Sequence, residues 1–525
     1  MISLQGLNQA NAATYFLDRN VEAGRGEDVA LYYLDQSTSY SQLLDLACRA
    51  GNLFLNSGID YENRVVIILP DSPIHVVALL GLIRIGAVPV TLSTRLSPDD
   101  YLYVFADCRP KGLVIGQEHV YVMESVRRQL EENSFPFPKN TWVVGSGQAP
   151  SHYRLLEDLL SQSSSEPVVR KSSRDDTAII QYTSGSTGTP KGVVHLHRGL
   201  LQVTGYLARR LGMNEADKIF SVAKLSFGYG LGNSVLLPFS LGACSILHPG
   251  LADPFTIYDM LIRHRPTVFF GVPSLYSAML QVNVCETDFD PATLRVCVSA
   301  GEHLSASLFH KWKERFGHEI LDGLGSTECL HIFISGEIGR IKPGSVGTPI
   351  EGCDTKLLDD NGEPVNEGEI GHLYVKSPAN AARYWNKHDE TTATMIGPWI
   401  RTGDLLYQDE EGYYYYVGRS DDVIKVGALK VTPIEVEECL LKFEGIKECA
   451  VAGVTTKEGI ASIHAYVCLN EGWEPSRRLK RVLKEYVQNS ISPYKCPREI
   501  QFVTALPKTV NGKIARYRLS EVATV

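Results

Sequence analysis

Apolar residues along the chain follow two alternating rhythms, one with the period of a helix and one with that of a strand. Leu43, Leu46, Ala47, Ala50, Leu53 and Phe54 fall three and four residues apart, the spacing of one helix face. Ser41 is placed to cap this helix and Gly58 to end it in a left-handed conformation. Arg64 to Leu69 then reads RVVIIL, an apolar run of strand length, followed by a helix over Ile74 to Ile85 and a strand over Ala87 to Leu92. Apolar strands joined by a helix predict parallel sheet covered on both faces. Short apolar runs recur at Thr177 to Gln181, Cys244 to Leu247, Val268 to Phe270 and Val296 to Ser299. The most apolar stretch, Val76 to Leu92, is interrupted by Arg84, Gly86 and Pro89, so it reads as buried helix and strand, not a membrane span.

After Gly344 the pattern turns to hairpins. Asp359-Asp360-Asn361-Gly362 separates Thr355–Leu358 from Ile370–Val375, and Asp409-Glu410-Glu411-Gly412 precedes Tyr413–Val417. Such turn signals predict an antiparallel or barrel-like subdomain. Beyond Gly418-Arg419-Ser420-Asp421-Asp422 short strands and amphipathic helices resume. A charged joint followed by a new core predicts a boundary there, giving domains 1–418 and 419–525. Ser161 to Ser173 reads as a connecting loop, and no solenoid or propeller repeat is visible.

Length agrees with this subdivision, because 525 residues exceed what one core ordinarily holds. Charge adds something the pattern does not show. The whole chain carries 51 basic and 60 acidic residues, a net of −9. From Arg419 onward there are 17 basic and 13 acidic residues, a net of +4, which leaves −13 for the rest. An acidic body gives no support to nucleic-acid or anionic-membrane partners, whereas the basic last segment is suited to polyanionic small molecules. Eleven cysteines lie singly with no Cys-x-x-Cys pair, so no zinc site or disulfide framework is indicated and a reducing compartment is expected. Met1 to Phe16 lacks a basic region followed by an apolar run, and a cytoplasmic location is the expectation.

The densest chemical signal is Tyr182-Thr183-Ser184-Gly185-Ser186-Thr187-Gly188-Thr189-Pro190-Lys191-Gly192, directly after a predicted strand. Small residues let backbone N–H groups turn towards an anion, hydroxyls add donors, and Lys191 supplies a positive charge, as a polyphosphate requires. The Walker A spacing fails, since Pro190 stands where its second glycine would be. Composition alone leaves a surface Ser/Gly loop as the alternative.

Further stretches follow in order: SFGYGLGN (Ser226–Asn233), SAGE (Ser299–Glu302), DGLGSTE (Asp322–Glu328), PGSVGTP (Pro343–Pro349), RTGDL (Arg401–Leu405), GRSDDVIKVG (Gly418–Gly427) and PKTVNGKI (Pro507–Ile514). With the glycine-rich loop, they make the chain resemble, over nearly its whole length, the adenylate-forming superfamily of acyl- and aryl-CoA synthetases, luciferases and adenylation domains. Asn11–Leu31, the GYGLGN piece and the LHIF after Glu328 resemble the benzoate-CoA ligase branch most. The resemblance implies an α/β fold: a large N-terminal domain of two parallel-type αβαβα subdomains plus a small β-barrel-like subdomain, and a small mobile α+β C-terminal domain.

It also implies roles. Thr183, Ser184, Gly185, Ser186, Thr187 and Gly188 with Lys191 would hold the β- and γ-phosphates of ATP, Thr327 would contact the α-phosphate, and Glu328 would hold Mg²⁺. Gly301 and Glu302 would flank the adenine, Asp322 would lie near its amino group, and Asp404 would accept from the ribose hydroxyls with Arg419 nearby. Leu324 stands where the superfamily often has an aromatic residue against the adenine. Lys513 would bridge the substrate carboxylate and the α-phosphate in the first half-reaction. Asp421 would be the hinge, with Lys425 and Gly427 serving the thioester step, where Ala428 replaces the usual glycine.

The acyl pocket implied comprises Phe227, Gly228, Tyr229, Gly323, Gly325, His331 and Ile332, a mostly apolar slot for a planar aromatic acid. Relatives often have Ala at Gly228, which leads to the expectation of room for one small ring substituent. His331 is read either as a substrate contact or as a hydrogen-bonded wall residue. Tyr494-Lys495 is placed either to meet the nucleotide end of CoA or as ordinary surface, and His195 and His197 are read as structural, not metal ligands. The implied reaction activates benzoate or a small substituted benzoate with ATP and Mg²⁺ and transfers the aryl group to CoA. The alternatives are loading of a carrier-protein pantetheine, a catalytically silent nucleotide-binding regulator, and luciferase-like oxidation; a homodimer is also compatible. Intact Lys191, Glu328, Asp404, Arg419 and Lys513 argue against the silent regulator.

Overall fold

The computed structural model describes residues 10–147, 150–183, 189–282, 289–426, 429–455, 461–508 and 514–521. These divide into two compact units, Met1–Thr355 with Val375–Arg401 and Lys356–Tyr374 with Thr402–Val525.

Two mixed sheets organise the first unit. One has eight strands in the order Arg383–Tyr384, Lys191–Leu196, Thr177–Thr183, Val88–Thr91, Arg64–Ile68, Gly112–Gly116, Asn140–Val144, Tyr153–Leu155. All of its pairings from Thr177–Thr183 onward are parallel, and the first two are antiparallel. The other has nine strands in the order Thr348–Pro349, Ile332–Ser335, Ile320–Gly325, Val296–Ala300, Val268–Gly271, Lys218–Ser221, Cys244–Leu247, Val29–Tyr33, Gln36–Ser39. Its centre is parallel and its margins antiparallel. The predicted parallel core is therefore present, edged by hairpins.

The apolar strands explain the layering. Val65 and Ile67 turn to one face and Val66 and Ile68 to the other, and all four are fully buried, as period-2 alternation in a two-sided sheet requires. Val66 and Ile68 pack with the helices Pro98–Cys108 and Val120–Glu132. Val65 and Ile67 share a core with Tyr40–Asn56, Pro73–Arg84 and Leu247 of the second sheet. Helices Pro254–His264, Pro273–Leu280 and Ala306–Phe316 contribute to a third core, with Phe220 and Phe269 of the second sheet.

Some sequence expectations of individual elements hold and others need correction. The first long helix is capped by Ser39, not Ser41: the Ser39 hydroxyl accepts from the Gln42 N–H, and the Gln42 side chain accepts from the Ser39 N–H, forming a capping box. Gly58 has φ +81° two residues beyond the last helical residue. The Val76–Leu92 stretch is helix Pro73–Arg84 and strand Val88–Thr91, and no helix among the described residues is long and apolar enough to cross a membrane. Ser161 and Gln162 end a helix, Leu156–Gln162, instead of starting a loop.

The hairpin region forms a sheet of five strands: Asp354–Leu358, Gly371–Lys376, Trp399–Gln408, Met395–Ile396, and Tyr414–Arg419 paired to Trp399–Gln408. Its pairing is an open, branched path in which both Met395–Ile396 and Tyr414–Arg419 fold back antiparallel on the one long strand, the antiparallel form of the expected subdomain. In the second unit, Ile446–Thr455, Ala461–Leu469 and Glu499–Phe502 form a three-stranded sheet. It is covered by helices Pro433–Leu441 and Arg477–Ser490 through Val436, Leu440, Leu483 and Val487.

Candidate active site

The candidate residues of the first unit gather at carboxyl ends of parallel strands, where open α/β sheets place their ligands. Strand Thr177–Thr183 leads into the glycine-rich loop, and Thr183 pairs with Lys191 across the ladder that closes it. Ser184, Gly185, Ser186, Thr187 and Gly188 lie outside the described residues. Tyr182, at the loop's entrance, donates its hydroxyl to Asp107 Oδ2 at 2.5 Å. Lys191 Nζ stands 5.4 Å from the centroid of the Tyr384 ring, within cation–π range.

Strand Ile320–Gly325 ends in the turn carrying Thr327 and Glu328. Ser326 caps this turn by accepting from the Cys329 N–H at 3.2 Å. Leu330 follows at φ 68°, ψ −40°, with the His331 N–H bonded to Cys329 O at 2.8 Å. That is a γ-turn around a branched residue, a strained conformation of the kind found at functional sites. Glu328 Oε1 accepts from the Tyr384 hydroxyl at 2.7 Å, and its backbone carbonyl accepts from the Ala381 N–H at 2.7 Å. Among the described residues no group of three or more His, Cys, Asp or Glu could hold a metal ion. A single carboxylate, as Glu328 offers, fits Mg²⁺, which is commonly held by one or two carboxylates together with substrate phosphates.

On the predicted adenine side, Gly301 adopts φ +89°. Glu302 accepts from the Ser274 N–H at 3.0 Å and the Ser274 hydroxyl at 3.2 Å, so its carboxylate fixes the neighbouring helix start. Asp322 is buried and accepts from the Gly323 N–H at 3.1 Å. Burial pushes its carboxyl up to about 7, against the opposing pull of His303 and two backbone N–H groups.

The pocket residues converge on the Leu330–Ile332 segment. Tyr229 donates to Gly271 O at 3.2 Å and lies 5.8 Å from the His331 ring. His331 is bonded through Nε2 to Asn233 Oδ1 at 2.9 Å, and Asn233 donates to Ser221 Oγ at 3.2 Å. Burial lowers the His331 pKa to about 4, so it is neutral and Nε2 is the donor to the amide oxygen. Phe227 provides the N-cap of the short helix Gly228–Leu231.

The glycines here are packing devices. A methyl on Gly228 would stand 2.7 Å from Leu330 O, one on Gly323 2.8 Å from Ile332 Cδ1, and one on Gly325 2.6 Å from His331 O. The place of a side chain at Gly228 is thus taken by the Leu330 carbonyl, so this glycine serves close backbone packing.

In the second unit, Asp404 and Arg419 face each other in antiparallel register. Arg419 Nη1 donates to Asp404 Oδ1 and to Thr402 O, both at 2.9 Å. Asp404 is buried and its partner 40% exposed, so this carboxylate is oriented and charge-balanced. Asp421 is exposed in the turn Ser420–Asp422, and Lys425 lies in strand Ile424–Val426. Gly427, Ala428 and Lys513 lie outside the described residues. Lys495 is ion-paired with Glu435, and Tyr494 is exposed.

His195 and His197 are buried and held near pKa 4 by that burial; the His197 Nδ1 accepts from the Ala12 N–H at 3.1 Å. Sequence reasoning passed over Tyr384, Asp107, Asn233 and the buried Asp71, which accepts from the Leu225 N–H at 2.9 Å and lies 3.9 Å from Lys224 Nζ. It also passed over Gln181, whose buried carboxamide has no hydrogen-bond partner among the described residues and whose Oε1 sits 3.2 Å from the place of a Gly228 methyl. A polar residue ending an apolar strand was the one available signal for Gln181; the others are recognisable only from their partners.

Comparison with known proteins identifies the family. Residues 17–385 match the family described as AMP-binding enzyme, and residues 435–513 match the AMP-binding enzyme C-terminal domain. The chain is 38% identical to a 4-hydroxybenzoate–CoA/benzoate–CoA ligase of Rhodopseudomonas palustris, across 98% of this chain and 95% of that protein. It is 37% identical to a benzoate–CoA ligase of Thauera aromatica, across 97% and 95%. Among solved structures, an anthranilate CoA ligase in complex with anthranoyl-AMP superposes with a TM-score of 0.90 at 35% identity, covering 98% of this chain and 97% of that one. A benzoate CoA ligase from Burkholderia xenovorans gives 0.88 at 36%, covering 97% and 99%.

Proposed function

The chain belongs to the AMP-binding enzyme family, and from that premise we propose that it is an AMP-forming aryl-CoA ligase acting on benzoate or a small substituted benzoate. The observation that carries the reading is the convergence of Lys191 and Glu328 on Tyr384 beside the phosphate loop. An acid-activating enzyme needs that pairing of anion-binding and carboxylate groups, and a structural loop does not.

In the first half-reaction a carboxylate oxygen of the acid attacks the α-phosphorus of ATP, the bond to the bridging oxygen breaks, and pyrophosphate leaves with the electron pair. The acyl-adenylate remains. Thr183 and Lys191 hold the departing phosphates, Thr327 steadies the α-phosphate, and Lys513 spans the attacking carboxylate and the α-phosphate. Glu328 is the residue to hold Mg²⁺, which when bound neutralises charge on the phosphates. Asp404, kept in place by Arg419, accepts from the ribose hydroxyls. In the second half-reaction the CoA thiolate attacks the acyl carbon and AMP leaves, giving the aryl thioester. We assign the hinge between the steps to Asp421 within a 419–525 domain, with Lys425 and Gly427 serving the thioester step.

Tyr229, Ile332 and the neutral His331 make an apolar wall suited to a flat ring. The acceptor is CoA; a carrier-protein thiol is the alternative. Pyrophosphate release is measured with aromatic and alkyl acids, with and without CoA. Release with benzoates and formation of their CoA thioesters is the expected result. Release with alkyl acids alone, or thioester only on a carrier protein, overturns the assignment.

A further inference from the structure

Tyr384 sits on the two-residue strand Arg383–Tyr384, paired antiparallel to the strand that begins at Lys191. The residue is 5% exposed and packs with Val193 and Ala381. Its hydroxyl donates to Glu328 Oε1 at 2.7 Å, while Lys191 Nζ lies 5.4 Å from the ring centroid. One side chain therefore touches both the acidic residue and the lysine placed around the phosphates.

The segment behind it is tethered. Trp385 donates Nε1 to Asp107 O at 3.2 Å, and Asn386 donates Nδ2 to Asp107 O at 3.0 Å and Oδ1 at 3.2 Å. The other oxygen of the Asp107 carboxylate, Oδ2, accepts from Tyr182 at 2.5 Å. Asp107 thus ties the entrance of the phosphate loop to the segment that carries Tyr384.

We propose that Tyr384 is a positioning residue for the metal step, resting on the reading of Glu328 as the Mg²⁺ ligand. Its hydroxyl occupies Oε1 of Glu328 and fixes the carboxylate rotamer, so that Oε2 is presented as a single, oriented oxygen. Mg²⁺ demands near-ideal octahedral geometry, and a freely rotating or bidentate carboxylate meets that demand poorly. The Asp107 tether keeps this oxygen in register with the phosphate loop. Outer-shell partners of this kind typically change metal affinity by 10- to 100-fold when removed.

Tyr384→Phe removes the hydroxyl and keeps the ring. The Mg²⁺ concentration for half-maximal ATP–pyrophosphate exchange is expected to rise about 10- to 100-fold, with the KM for the aromatic acid unchanged. Binding of Mn²⁺ in the presence of α,β-methylene-ATP, read by electron paramagnetic resonance, should weaken in parallel. In a Glu328→Gln background, adding Tyr384→Phe should change neither quantity, because the two act as one unit. A wild-type Mn²⁺ affinity in a folded Tyr384→Phe protein, or a full additional loss in the Glu328→Gln background, overturns the proposal. Should Tyr384→Phe not fold, Trp385→Phe together with Asn386→Gly removes all three hydrogen bonds of the tether, glycine tolerating the left-handed backbone at φ 51°; unchanged Mn²⁺ binding there overturns it equally. If wild-type protein shows no exchange with any acid, the functional reading fails, and the Mn²⁺ titration still decides this one.

Discussion

Gly228 carries no side chain because the Leu330 carbonyl occupies the place of one. Gly228→Ala should therefore cost on the order of 1–3 kcal/mol through overpacking, seen as a lower denaturation midpoint. It should raise the KM for unsubstituted and substituted benzoates alike. A selective loss of substituted substrates, with stability unchanged, would restore the idea that this glycine makes room for the ring. For Asp404, whose carboxylate is already oriented by Arg419, replacement by Ala removes hydrogen bonds to a charged group, which are worth about 1.5–3 kcal/mol. The expected outcome is a 10- to 100-fold drop in kcat/KM for ATP, with the KM for the acid little changed; steady-state kinetics with each substrate varied in turn decide it. Glu328, Lys191 and Asp404 could be picked out in the sequence because their motifs are contiguous. Tyr384 could not, since its neighbours in ARYWN give no sign of what its hydroxyl meets.

Among the elements, the helices and strands that hold the site differ in how they are secured. The Tyr40–Asn56 helix is fixed by the Ser39–Gln42 box, far along the chain from any candidate catalytic residue. Ser39→Ala should lower stability by about 1 kcal/mol and leave kcat alone, a split that a denaturation curve and an activity assay read together. The aromatic stretch is held differently. Asp71 pins its start by accepting from the Leu225 N–H. Lys224, donating to His248 O at 2.7 Å, lies beside the same carboxylate. Asp71→Ala leaves the Leu225 N–H and the half-buried ammonium without that partner, so the KM for the aromatic acid should rise while the KM for ATP holds. Equal increases in both would contradict the idea that Asp71 serves the acyl pocket specifically. Strand positions were readable from apolar runs, because burial on both faces leaves few polar positions, Gln181 and Asp322 among them. The cap was misplaced by two residues, because Ser39 and Ser41 look alike until the geometry shows which hydroxyl reaches a free N–H.

Across the whole molecule, buried titratable groups set the response to pH. His75, His195, His197 and His331 are lowered to about 4 by burial, whereas Asp71 is raised to about 6 and Asp322 to about 7. Between about pH 4 and 6 the unfolded chain protonates four histidines that the native protein keeps neutral, and the native protein retains two carboxyl protons that the unfolded chain releases. The unfolded state binds the greater number, so stability should rise with pH across that window. A melting temperature that falls from pH 4 to 6 would show that the carboxyls dominate. The sequence by itself determined the layered α/β architecture, the order of the motif stretches and the family, because these depend on local periodicity and on residues adjacent in the chain. Only the tertiary structure decided that the hairpin sheet stays open, that Gly228 and Gly325 lie against neighbouring backbone and Gly323 against the Ile332 side chain, and that Tyr384 joins Glu328 to Lys191. Those outcomes depend on which distant segments come within hydrogen-bond or van der Waals reach, and the chain's local pattern does not encode that distance.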